Sequence, residues 1–193
     1  MKLLFSDIHA SKRAAKDIMR LSKCFTEIIC CGDICGYGRY YKYCIDMFQD
    51  LNIKSVLGNH DYLVIRKDID LRDYPREVMV PIERTRRTIK KKELDYLRSL
   101  PESLVVDNVF ITHTYKLDYY IHTEEDCKKL FELTNLPMIA IGHTHQQADM
   151  NVDGVRIINP GSMAKGRSGT PRGYAVMGDD NNVRFVKIKE IIK

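Results

Sequence analysis

The chain has 193 residues, with 31 Lys and Arg against 26 Asp and Glu, a formal charge of +5, and 44% hydrophobic and 30% charged side chains. This balance excludes a disordered or fibrous chain, and it tolerates phosphorylated ligands without calling for nucleic acid. The length favours a single domain over residues 1–193, large enough to bury about 70% of its unfolded surface without a disulfide or metal staple.

Met1-Lys2-Leu3-Leu4-Phe5 opens the chain, and Asp7 ends the apolar stretch too early for the ~7–15 apolar residues of a signal peptide. Lys2 to Ser6 therefore reads as a first strand. Ser11 to Ser22 follows as an amphipathic helix, capped by Ser11, with Ala14, Ala15, Ile18, Met19 and Leu21 on its apolar side. Glu27 to Cys31 is a second strand. A loop containing Gly32, Gly36 and Gly38 leads to a helix over Tyr40 to Gln49, and Lys54 to Leu57 is a third strand. Strands alternating with helices indicate a parallel sheet.

Residues 62–92 are charged and carry the basic run Arg84, Arg86, Arg87, Lys90, Lys91 and Lys92, read as a solvated helix face in preference to a phosphate-collecting patch. Glu93 to Leu100 reads as a helix stopped by Pro101. Leu104 to Val106 and Val109 to Thr112 form a hairpin about Asp107-Asn108. A helix over Glu124 to Leu133 and a buried strand from Met138 to Ile141 come next. Ala148 to Asn151, Val155 to Asn159, Tyr174 to Met177 and Val183 to Lys189 are short strands. The expected fold class is α/β, with two packed mixed β-sheets flanked by helices in an αββα sandwich. No apolar stretch reaches the ~18 residues of a membrane helix, so no membrane partner and a cytoplasmic location are expected. Cys24, Cys30, Cys31, Cys35, Cys44 and Cys127 then read as reduced thiols. Without a C-x-x-C pair, the Cys30, Cys31 and Cys35 cluster reads as buried small hydrophobes rather than a zinc or iron–sulfur site.

Five strand ends carry polar clusters: Asp7-Ile8-His9, Gly32-Asp33, Gly58-Asn59-His60-Asp61, Thr112-His113-Thr114 and Gly142-His143-Thr144-His145. The carboxyl edge of such a sheet is where open α/β folds place ligands, so these loops should converge. Asp, Asn and His supply oxygen and nitrogen ligands suited to divalent Mn, Fe, Zn, Co or Ni. Seven of these nine residues acting as ligands exceed one tetrahedral ion and suit two ions sharing a carboxylate, the device that clamps attacking and leaving oxygens in phosphate-ester hydrolysis.

In this order the motifs resemble those of the calcineurin-like metallophosphoesterase superfamily. The match runs from residue 6 to about 145 and on through Asn159-Pro160-Gly161-Ser162, and Gly32-Asp33-Ile34-Cys35-Gly36-Tyr37-Gly38 is similar to a loop of one small prokaryotic branch. The resemblance implies that Asp7, His9 and His145 hold one metal, that Asn59, His113 and His143 hold a second, and that Asp33 bridges them. It implies two divalent ions, with manganese the first choice and Fe, Ni, Co or Zn as alternatives, and a hydroxide bridging them as nucleophile. His60 would be the non-ligand catalytic histidine, protonating or stabilising the leaving oxygen, a task suited to a pKa near neutrality. His122 is left without a role.

Some relatives of this fold are scaffolds that lack the catalytic histidine; this chain keeps His60 and every expected ligand. Protein phosphatases of the superfamily carry an Arg-Gly pair after the second motif, where this chain has Ile34-Cys35-Gly36-Tyr37-Gly38. Its nucleases are longer, and only the basic run speaks for them. The expected function is a phosphodiesterase on nucleotide-like or other small phosphodiesters, with a phosphomonoesterase as the alternative. Arg39, where relatives often have Pro, and Thr114, where Gly is common, are candidate substrate contacts at the entrance. Residues 62–92 are a candidate small cap. A small phosphate ester is the expected partner, nucleic acid is not, and a homodimer is compatible with the sequence.

Overall fold

The structure, a computed structural model, describes residues 1–113 and 128–188. Strands β1 (Lys2–Phe5), β2 (Glu27–Cys30) and β3 (Lys54–Ser55) run parallel, joined by helices α1 (Lys12–Leu21) and α2 (Tyr41–Asp50). Two strands from the end of the chain, β9 (Gly173–Met177) and β10 (Val183–Lys187), pair antiparallel to them and complete a sheet of order β10-β9-β1-β2-β3. The second sheet, β4-β5-β6-β8-β7, is built from β4 (Ser103–Val106), β5 (Val109–Thr112), β6 (Met138–Ile141), β7 (Gln147–Val152) and β8 (Val155–Pro160), with β5, β6 and β8 parallel at its centre.

The side-chain alternation of each strand divides the core into layers. Leu4, Ile29 and Cys31 from the first sheet pack with Val109, Ile111, Met138, Ala140 and Ile158 from the second, so the sheets lie face to face. The opposite parity, Leu3, Phe5, Ile28 and Cys30, packs under the helices. Phe110, Ile139, Ile141 and Ile157 form the outer layer of the second sheet, with Leu130 over them. The expected sandwich of two mixed sheets flanked by helices is the fold observed.

Most expected elements are present within a residue or two. Ser11 accepts from Ala14 N at 3.3 Å as the N-cap of α1. Asp107 and Asn108 have φ of 47° and 64°, the two left-handed residues a type I′ hairpin needs. The third strand is shorter than the expected Lys54 to Leu57, because Leu57 N leaves the ladder and donates to Pro101 O at 2.7 Å. The stretch 62–92 spans the end of α3 (Asn59–Ile65), a loop, and α4 (Arg76–Thr88); Leu63, Val64 and Ile82 sink into the helix-side core. Helix α5 (Lys91–Ser99) follows, with Leu97 buried in the same layer.

The basic run is not uniformly solvated. Arg87, Lys90, Lys91 and Lys92 are exposed, whereas Arg84 and Arg86 are half-buried and donate to backbone carbonyls. The expected helix over Glu124 to Leu133 falls largely outside the described residues, as do Thr114, His122 and Cys127; a short 3-10 turn covers Lys129–Glu132. Cys30, Cys31, Cys35 and Cys44 are buried free thiols, and burial raises the pKa of each, consistent with packing rather than reactive roles. Among the described residues no helix is long and apolar enough to cross a membrane.

Candidate metal centre

The loops that follow β1, β2, β3, β5 and β6 meet at the carboxyl edge of the parallel strands of both sheets, as the polar strand ends imply. A bridge between Ser6 and Ser162 ties the first sheet to the loop after β8, and Ser162 Oγ donates to Asp7 O at 2.9 Å. Asn159 Nδ2 donates to Gly142 O at 2.8 Å and to Thr144 Oγ1 at 2.9 Å, holding the loop of His143 and His145. Five of the seven expected ligands (Asp7, His9, Asp33, His143 and His145) have φ between 47° and 73°. For residues other than glycine that region is strained, and its concentration here marks a site whose geometry is set by function.

The side chains converge in two overlapping halves. His9 Nε2 lies 2.9 Å from His145 Nε2, and Asp7 Oδ1 is 3.5 Å from the first and 3.2 Å from the second. In the other half Asn59 Oδ1 lies 3.0 Å from His113 Nε2 and 2.9 Å from His143 Nδ1. Asp33 Oδ2 stands between them, 3.7 Å from His9 Nε2 and 3.4 Å from His113 Nε2. His60 Nε2 is 3.9 Å from the same oxygen, and the His60 backbone N–H donates to Asp33 Oδ1 at 2.9 Å.

The chemistry of this donor set fits divalent cations. His9 Nδ1 donates to Cys35 O at 3.1 Å, His113 Nδ1 to Cys31 O at 2.6 Å, and His145 Nδ1 to Lys165 O at 2.9 Å. A carbonyl only accepts, so each of these rings carries its proton on Nδ1 and, when neutral, turns the Nε2 lone pair inward. Lone pairs of His9 and His145 then face one another across 2.9 Å beside Asp7 Oδ1, a buried oxygen with no hydrogen-bond donor among the described residues. Such an arrangement is relieved by a proton on one ring or by a metal ion among the three groups, and backbone carbonyls behind metal-bound imidazoles are the usual orienting partners. Asp7, His9 and His145 form one compact candidate ligand group, and Asp7, Asp33 and His113 another.

The electrostatics agree. Burial opposes ionisation of Asp7, but the neighbouring His145 and His9 hold its carboxyl well below the usual range. Burial likewise opposes a charge on His113, but Asp33 beside it raises the imidazole to about 9. The cluster draws positive charge, for which protons and metal ions compete. His60 behaves differently: burial pushes it down to about 3 despite Asp33, so the imidazole is neutral near pH 7, not poised near neutrality as expected. Its Nδ1 has no hydrogen-bond partner among the described residues.

Two residues not singled out from the sequence belong to the site. Asp61 is buried and accepts from Cys35 N at 2.7 Å, Ile34 N at 3.1 Å and Gly58 N at 3.2 Å, tying the Asp33 loop to the Asn59 loop. The Tyr37 ring packs tilted against His9, with centroids 4.5 Å apart, and edge-on against His60 at 4.9 Å. Both stood inside the quoted motifs, which was the available signal. Gly36, at φ +139°, leaves the space that the His9 ring fills; a Cβ there would overlap Nδ1. A cleft of about 780 Å³ opens beside His9 and His145, and Arg39 is exposed at its wall.

Comparisons with known proteins place this fold and ligand cluster in a family. A model of the calcineurin-like phosphoesterase superfamily domain matches residues 1–182, and the chain belongs to that family. An uncharacterised protein of Methanocaldococcus jannaschii is 27% identical over 217 aligned residues, covering 100% of this chain and 89% of that protein. A metallophosphoesterase from Sphaerobacter thermophilus superposes with a TM-score of 0.79 at 25% identity, over 97% of this chain and 87% of that one. A hypothetical protein from Pyrococcus horikoshii OT3 shares the fold with a TM-score of 0.79 at 17% identity, over 98% of this chain and 88% of that one.

Proposed function

We propose that the protein hydrolyses phosphodiesters of small, nucleotide-like compounds at a centre of two divalent ions. The observation that carries this reading is the inward convergence of Nε2 from His9, His113 and His145 on Asp7 and Asp33, with their Nδ1 atoms committed to backbone carbonyls. Asp7, His9 and His145 would hold one ion and Asn59, His113 and His143 the other, with Asp33 placed between the two groups. Once bound, the ions supply Lewis-acid stabilisation of charge on the attacking and leaving oxygens. Mixed oxygen and nitrogen donors make manganese the first choice, with Fe, Ni, Co and Zn as alternatives.

His60, neutral and fixed through its backbone N–H to Asp33, presents an imidazole N–H to the leaving oxygen. The cleft beside the cluster gives room for a second ester limb, which supports a diester over a monoester. Arg39 at the cleft wall is suited to a phosphate oxygen, and Thr114, next to His113, is retained as a second contact. Glu77 in the first turn of α4 lines the cleft, which supports residues 62–92 as a small cap on a single domain. Buried, unpaired thiols support a reducing, cytoplasmic setting.

The test is turnover of bis-p-nitrophenyl phosphate and p-nitrophenyl phosphate with Mn, Ni, Co, Zn and Mg in turn. Strong diester and negligible monoester turnover is expected; the reverse favours the phosphomonoesterase, and no turnover with metals bound favours a scaffold. His60→Ala should lower diester turnover by about 100-fold or more while retaining both metals. Full activity in that variant removes His60 from the reaction.

A further inference from the structure

Among the described residues, the cleft next to His9 and His145 is lined by five cationic side chains, Lys12, Arg13, Arg39, Lys165 and Arg167, against one acidic residue, Glu77. Lys12 and Arg13 are the first two residues of α1, whose first turn contains no acid. Cations at the positive end of a helix oppose its dipole, so this placement works against the stability of α1 and concentrates positive potential on the cleft. The chain path fixes their position: only Ala10 and Ser11 separate His9 from Lys12.

Arg167 stands at the junction between cleft and cluster and is positioned by the fold. Its Nη2 donates to Tyr37 Oη at 2.9 Å, and Tyr37 packs against His9 and His60. Its loop is bound to the candidate ligand His145 through Lys165 O at 2.9 Å and closed by Thr170 N donating to Arg167 O at 2.9 Å. Only glycine fits at 166, where a Cβ would overlap Thr170 O. The rings of Tyr37 and Tyr40 add flat apolar surface between the cations.

We propose that this cleft is an anion subsite, selecting phosphate esters whose organic limb carries a further phosphate group beyond the scissile one. The inference rests on the proposed phosphoesterase reading of the adjoining centre and names the class of substrate it takes. The scissile phosphate lies at the Asp and His cluster, Arg167 sits between the two phosphates, and Lys12 and Arg13 take the second.

Calorimetry on the manganese-loaded protein tests this with thymidine 5′-phosphate and thymidine 3′,5′-bisphosphate, two ligands that differ by one phosphate. The bisphosphate is expected to bind about tenfold tighter or more. The double variant Lys12→Gln, Arg13→Gln should bring the two affinities within about threefold, with monophosphate affinity unchanged within about twofold. Its thermal midpoint should stay level or rise, because the cations removed oppose the helix dipole. Equal affinities in the wild type, or a preference that survives in the double variant, overturns the subsite. A wild type that prefers the bisphosphate but hydrolyses no ester keeps the subsite and overturns the catalytic reading. Turnover of bis-p-nitrophenyl phosphate without that preference does the opposite.

Discussion

Asp61 shows how a single side chain holds the candidate centre together without being one of its expected ligands. It is fully buried, and its two oxygens satisfy the backbone N–H groups of Ile34 and Cys35, which follow Asp33, and of Gly58, which precedes Asn59. Burial and the nearby Asp33 raise its pKa to about 6, while the three N–H donors pull it back. Asp61→Ala strands three buried donors at about 1–3 kcal/mol each, so a loss of about 3 kcal/mol or more is expected in urea unfolding. A loss below about 1 kcal/mol would mean that water replaces the carboxylate and that Asp61 holds nothing. The residue types at the centre were legible in the sequence, since Asp, Asn and His clustered at five strand ends. What Asp61 does was not, because its partners Ile34 and Cys35 lie 27 and 26 residues away. Nor was the neutrality of His60, which is an effect of burial.

Helix α4 is fastened to its neighbours by two arginines. Arg84 donates to Tyr37 O at 3.3 Å and more closely to Gly38 O, fastening the helix to the loop behind Asp33. Arg86 donates to Leu63 O at 2.9 Å, Ile69 O at 3.0 Å and Arg66 O at 2.7 Å, capping the C-terminus of α3 where a cation also suits the helix dipole. Arg86→Ala should therefore cost about 2 kcal/mol or more in urea unfolding, and the exposed Arg87→Ala less than about 0.5 kcal/mol. Equal costs would restore the reading of the run as a solvated face. From the sequence, these arginines were indistinguishable from their neighbours, since charge alone does not say which carbonyls a guanidinium reaches. Strands with a clear alternation or a two-residue turn were placed correctly. The end of β3 was misread because the partner of Leu57 N, Pro101 O, lies in a distant loop.

The two sheets share one buried layer and one edge of charge. Lys2, on the same parity as Leu4, is 4% exposed and reaches Asp107 in the β4–β5 turn at 2.6 Å and Asp179 after β9 at 3.6 Å. Hydrogen bonding to Asp107 raises the Lys2 pKa against the effect of burial. The stabilisation from a raised lysine is complete below its ordinary 10.5 and is lost as pH rises through the higher folded value. Lys2→Met should therefore flatten the loss of urea stability above pH 10.5, and an unchanged alkaline slope would show that the pair contributes nothing across the sheets. The sandwich was readable from a βα-rich first half followed by a β-rich second half. The return of β9 and β10 to the first sheet was not, because strand pairing across the whole chain leaves no local pattern. The loop of Ser162, which precedes that return, is tied to Asp7 at the candidate centre through Ser162 Oγ and Asp7 O. The most direct measurement is anomalous diffraction from crystals grown with manganese. The expected result is two peaks about 3.5–4 Å apart, with Asp33 between them, His9 and His145 on one, and Asn59, His113 and His143 on the other. A single peak, or two peaks of which Asp33 touches only one, contradicts the account.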